Sequence, residues 1–144
     1  MPNNFFGVTF VGSGSSTPSQ RLTNDQIGMR VDTDDSWIKS RTGISARHVV
    51  GKEESLTELS ASAGSKAIKM AGWDPETVDL ILLATSTPDD LFGSAPKVQS
   101  LLKASNAAAF DLTAACSGFL FALVTASQYL RVGSMKRVLV IGAD

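Results

Sequence analysis

The chain has 144 residues, 43% of them hydrophobic and 19% charged, with 13 basic against 14 acidic side chains and a formal net charge of −1. That composition excludes disordered, collagen-like and polycationic classes, and it offers no basic excess for a nucleic acid. A single cysteine, no secretion signal and no apolar stretch of the roughly 18 residues that cross a bilayer predict a soluble, cytoplasmic protein with no membrane segment.

Phe5 to Val11 is rich in Phe and Val and runs into a Gly, Ser, Thr and Pro cluster from Gly12 to Pro18, which predicts a short strand entering a turn. Thr23 to Val50 is irregular and polar, so short helices and loops are expected there. Ser55 and Glu58 form a Ser-x-x-Glu capping box, and Leu56, Leu59, Ala63, Ala67 and Met70 follow at helical spacing until Gly72. Asp79 to Ser86 is a continuous apolar run of strand length, the pattern of a strand covered on both faces. Ser94 is read as the cap of a short helix, with Pro96 in its first turn. Ala107 to Thr113 predicts a second buried strand, Cys116 to Val132 a central helix that is apolar around most of its circumference, and Arg137 to Gly142 a third strand. Strand, helix, strand, helix, strand in that order implies right-handed crossovers and a layered α/β sheet. The chain stops two residues past an apolar strand, from which we expect the physical unit to continue beyond Asp144.

Little in the chain supports a metal or dinucleotide. One His and one Cys make no ligand cluster, so neither metal nor cofactor is expected. Gly12 and Gly14 are followed by Thr17 and Pro18 where a dinucleotide loop needs a third glycine and a helix, and an ordinary turn is the simpler reading. Cys116 is the candidate nucleophile. It falls where the strand turns into the apolar helix, between the small residues Ala115, Ser117 and Gly118, and the first amides and dipole of a helix favour thiolate over thiol. Trp37 and Arg41 are spaced i, i+4, so on a helix an indole and a guanidinium share one face. That pair serves either to hold a base and a phosphate or simply to pack Arg41 on the ring. His48 follows Arg47 in a polar stretch and is read as structural.

Asp111 to Phe119 (DLTAACSGF), together with Asp32 to His48 (DTDDSWIKSRTGISARH), resembles β-ketoacyl-acyl carrier protein synthase III, the condensing enzyme that starts type II fatty acid synthesis. The resemblance implies a thiolase-like fold with αβαβα layers. Residues 1–144 would supply its first βαβαβ half, with the last strand and the carboxy-terminal half of the same enzyme absent. It implies a homodimer acting on a short acyl-coenzyme A, with acetyl the expected acyl group, and on malonyl-acyl carrier protein through an acyl-cysteine on Cys116. Thr33, Trp37 and Arg41 would contact the adenine end of coenzyme A. Phe92 would reach across the dimer to close the neighbour's acyl pocket, with Gly93 standing where proline is common in the family. The family's catalytic His and Asn have no counterpart here, so the segment alone is expected to be inactive. Two other readings use the same residues: a non-catalytic dimerisation or coenzyme A-binding fragment, and an acyl-coenzyme A hydrolase.

Overall fold

The computed structural model describes residues 6–144 and divides into two units, Thr17–Ser55 and Met1–Ser16 with Leu56–Asp144. In the smaller unit, strands β1 (Gln20–Thr23) and β2 (Ala46–Val49) pair antiparallel, with Arg21 opposite His48. Strand β2 falls in the stretch from Thr23 to Val50 where the sequence predicts only short helices and loops. The two strands are four residues each and largely polar, so neither carries an apolar alternation of its own. Helix α1 (Asn24–Gly28) opens with a reciprocal capping box between Thr23 and Gln26. Helix α2 (Asp35–Thr42) is capped by Asp34, whose carboxylate accepts from the Trp37 amide at 2.7 Å. The unit closes around Asn24, which is buried. Its Nδ2 donates to Asp35 and to the Ile44 carbonyl, and its Oδ1 accepts from Arg47.

The larger unit is built on a parallel sheet in the order β4-β3-β5. Strand β3 (Leu80–Ala84) is flanked by β4 (Ala108–Leu112) and β5 (Val138–Gly142). Every residue of β3 is buried, because alternate side chains enter different cores. Ile81 and Leu83 pack with helices α3 (Leu56–Ala71) and α4 (Ala95–Leu102), while Leu80 and Leu82 pack with helix α5 (Gly118–Arg131). Each such aliphatic side chain contributes about 1.5–3 kcal/mol through burial, which makes β3 the axis of the unit.

The described structure departs from the sequence reading at three further points. The expected first strand has no ladder: Phe5 lies outside the described residues, residues 6–11 form no strand, and the Phe6 amide donates instead to the Arg131 carbonyl at 2.9 Å. Gly12 and Gly14 do not mark a free turn either. A β-carbon on them would lie 2.3 Å and 2.2 Å from the carbonyl oxygens of Ala67 and Ala63, so the two glycines let the chain run directly against α3. Finally, α5 buries only Gly118, Ala122 and Ala126. Phe119, Leu120, Phe121 and Val124 are about half exposed, so the enclosure expected of a helix this apolar is not met among the described residues.

Candidate active site

Cys116 lies at the carboxyl end of β4, where α/β sheets place ligands and reactive groups. Beyond Leu112 the Thr113 hydroxyl donates to the Thr85 carbonyl at 2.9 Å, which ties this end of β4 to the end of β3. The backbone then reverses sharply. Ala115 has φ +45°, a left-handed conformation that costs a residue with a β-carbon roughly 1 kcal/mol or more. A single 3₁₀ turn, Ala115–Ser117, holds Cys116 just ahead of α5, which begins at Gly118 and not at Cys116 as the sequence predicts. The thiol is free and exposed.

Cys116 lines an apolar cavity of about 990 Å³ together with Thr85, Phe119, Gly142 and Asp144. Residues 6–14 and the length of β5 line the same cavity. At its rim the Asp144 carboxylate accepts from the Ser86 amide at 2.7 Å and the Ser86 hydroxyl at 2.9 Å. The Ser86 amide is the main reason the Asp144 carboxyl is held below its ordinary pKa. Among the described residues no group of three or more His, Cys, Asp or Glu side chains gathers to hold a metal ion.

Thr33, Trp37 and Arg41 all belong to the smaller unit. Helix α2 does bring Trp37 and Arg41 onto one face, with the Arg41 guanidinium carbon 4.7 Å from the centre of the indole. The ring remains 53% exposed, so surface suited to stacking is left open beside a cation. Thr33 presents a buried hydroxyl with no hydrogen-bond partner. His48, in β2, places Nδ1 2.7 Å from the Pro18 carbonyl. A carbonyl only accepts, so Nδ1 carries the proton and the ring is tied into its own unit.

Phe92 belongs to the larger unit, at the tip of the loop between β3 and α4. Leu91 and Phe92 are 93% and 92% exposed. Phe92 borders a second hollow, of about 400 Å³, with Phe110 and Thr113, and it does not line the cavity that holds Cys116. The loop is held by carboxylates. Asp89 accepts from the Leu56 and Thr57 amides and the Thr57 hydroxyl at the start of α3. Asp90 pairs with Lys97, whose hydrogen bond is the main cause of its lowered pKa, and accepts from the Phe92 amide at 2.9 Å. Ser94 does not cap α4 with its side chain. Asp111 does so, accepting from the Ser94 and Ala95 amides. Gly93 has φ +89°, a value closed to proline.

The sequence reading singled out Thr33, Trp37, Arg41, Phe92 and Cys116 but missed the roles of Asp89, Asp111 and Asp144. Asp111 lay within a quoted motif. The contacts of all three span 16 to 59 residues of sequence, and no local pattern announces such a pairing.

The family profile described as 3-oxoacyl-[acyl-carrier-protein (ACP)] synthase III matches residues 110–144. A beta-ketoacyl-[acyl-carrier-protein] synthase III of Prochlorococcus marinus (strain MIT 9313) is 70% identical over 138 residues, covering 96% of this chain and 41% of that protein. The crystal structure of 3-oxoacyl-[acyl-carrier-protein] synthase III from Aquifex aeolicus VF5 superposes with a TM-score of 0.91 at 44% identity, covering 94% of this chain and 44% of that one. The priming beta-ketosynthase of the R1128 polyketide biosynthetic pathway also superposes at 0.91, with 31% identity, 99% of this chain and 42% of that one covered. The chain thus spans about two-fifths of the length of the relatives it matches.

Proposed function

Since the chain belongs to the β-ketoacyl-[acyl-carrier-protein] synthase III family, as its amino-terminal part with a thiolase-like fold, we propose that the complete protein catalyses the condensation that initiates fatty acid synthesis. The observation that carries this reading is the free, exposed thiol of Cys116 on a strained turn at the wall of a large apolar cavity.

The Cys116 thiolate attacks the carbonyl carbon of an acyl-coenzyme A thioester, acetyl in the simplest case. A carbon–sulfur bond forms, and the coenzyme A thiolate leaves and takes up a proton. Malonyl-acyl carrier protein then loses carbon dioxide, and the resulting carbanion attacks the acyl-cysteine. That step yields a 3-ketoacyl carrier protein and returns the Cys116 thiolate. Covalent catalysis divides one difficult condensation into easier steps. The exposed indole of Trp37 stacks with the adenine of coenzyme A and Arg41 meets a phosphate, with Thr33 nearby. Phe92 closes the acyl pocket of a second protomer in a homodimer. Its exposure, 92%, leaves it open to such a contact.

Decarboxylation needs donors aimed at the developing enolate, and residues 1–144 do not supply an imidazole for this task. His48 is the sole histidine, and its Nδ1 already meets Pro18. We assign those donors to the remaining three-fifths of a protein of the relatives' length. Packing supports the same division. The edge of β5 away from β3 has no strand partner among the described residues, and an unpaired apolar edge favours association. The open edge of β5 and the exposed apolar side chains of α5 are therefore assigned to the remaining polypeptide.

Incubating the complete protein with acetyl-coenzyme A should add one acetyl mass to the peptide containing Cys116, and Cys116→Ser should abolish ketoacyl product. An unlabelled Cys116 with undiminished turnover would refute the proposal. Free acetate in place of ketoacyl product would identify a hydrolase instead.

A further inference from the structure

The tip that carries Phe92 is held in place from a distance. Leu91 and Phe92 bury almost nothing of their own, so their positions follow from the backbone on either side. On the carboxyl side that backbone is fixed by Asp111, the penultimate residue of β4. Its carboxylate accepts from the Ser94 amide at 2.9 and 3.1 Å and from the Ala95 amide at 2.7 Å. Amides at the start of a helix have no partner within the helix and are costly to leave unsatisfied. The Ser94 hydroxyl is not available for this, because it accepts from the Asp89 amide at 3.0 Å. Gly93 completes the arrangement. A β-carbon there would sit 3.1–3.2 Å from the Asp111 carboxyl atoms, and its φ of +89° is strained for any other residue.

We infer that Asp111 is a positioning residue: it sets where Phe92 stands and, through Phe92, which acyl chains the enzyme accepts. This rests on the assignment of Phe92 to an acyl pocket. The strand that ends in the nucleophile's turn also holds, through this carboxylate, the loop that shapes the pocket. Replacing it with an amide keeps the shape but removes one acceptor oxygen and the charge that strengthens both bonds.

The test uses the complete enzyme. For Asp111→Asn, Gly93→Ala, Phe92→Ala and the double variant Asp111→Asn/Phe92→Ala, kcat/KM is measured with acetyl- and isobutyryl-coenzyme A. The alkylation rate of Cys116 by iodoacetamide is followed in parallel. Asp111→Asn and Gly93→Ala should each change the acetyl-to-isobutyryl ratio by about fivefold or more, the scale of coupling between neighbouring residues. Cys116 alkylation should stay within about twofold of wild type. In the Phe92→Ala background Asp111→Asn should cause no further change of ratio. Equal losses with both substrates, or the same shift of ratio with and without Phe92, would overturn the inference by showing a merely structural role. If Asp111→Asn does not fold, the ratio in Gly93→Ala decides. Wild-type ratios in Phe92→Ala would instead overturn the pocket assignment on which the inference stands.

Discussion

Trp37→Ala separates nucleotide binding from packing. The indole is 53% exposed, so its removal leaves α2 with little lost burial, and the unit keeps its centre at Asn24 and Ile38. If adenine stacks on the ring, the loss should be about 1–3 kcal/mol, the usual worth of one base on an aromatic side chain. That corresponds to a fivefold to roughly 150-fold fall in kcat/KM for acetyl-coenzyme A, carried mainly by KM. Arg41→Ala should cost less at this exposed position, about 0.2–1 kcal/mol from its phosphate contact. The guanidinium stands 4.7 Å from the ring centre, and an exposed contact of this kind is worth about 0.5–1 kcal/mol. The double variant should therefore fall short of the sum of the single losses by about that amount. The assay compares acetyl-coenzyme A with acetyl-pantetheine, which has the thioester and lacks the nucleotide. Trp37→Ala should weaken the first and leave the second within about twofold of wild type. Equal losses on both substrates would refute the reasoning and leave the indole as a packing anchor for Arg41.

Two further perturbations probe the framework of the complete protein. Asp89→Ala removes the acceptor for two amides and a hydroxyl at the start of α3, and should lower stability by about 1–2 kcal/mol, read as a lower urea midpoint at unchanged slope. Partial burial alone would raise the Asp89 pKa, but its hydrogen bonds from Thr57 and Leu56, aided by the Lys97 charge, bring it below the ordinary 3.8. Its contribution is then fully present above the unfolded pKa and is lost as pH falls through the folded one, so wild type and Asp89→Ala should converge in stability below about pH 4. Equal spacing of the two at pH 3 and pH 7 would refute this. Gly14→Ala places a methyl group 2.2 Å from the Ala63 carbonyl oxygen and should cost about 1–3 kcal/mol or lift residues 12–16 off α3. Faster amide exchange in that segment would show the second outcome, and unchanged stability with unchanged exchange would contradict the close approach.

Local chemistry in the chain determined the β3 run, the spacing of α3, the Pro96 start of α4 and the arrival of Cys116 at a strand-to-helix turn. These features need no distant partner, because apolar periodicity and turn residues act within one element. The resemblance to the family rested on contiguous motifs for the same reason. Tertiary structure alone decided the β1–β2 hairpin, whose polar strands gain their ladder only when Thr23 meets Ala46. It also decided the meaning of Gly12 and Gly14, which look like turn residues but owe their identity to the carbonyls of α3. The strand expected near the amino terminus found no strand partner among the described residues, since alternation specifies a face and not a neighbour. The carboxylates of Asp89 and Asp111 passed for surface charge until the fold set them on helix amides 32 and 17 residues away. A carboxylate bonds whichever amides the fold brings to it, and its immediate neighbours in sequence do not say which those will be.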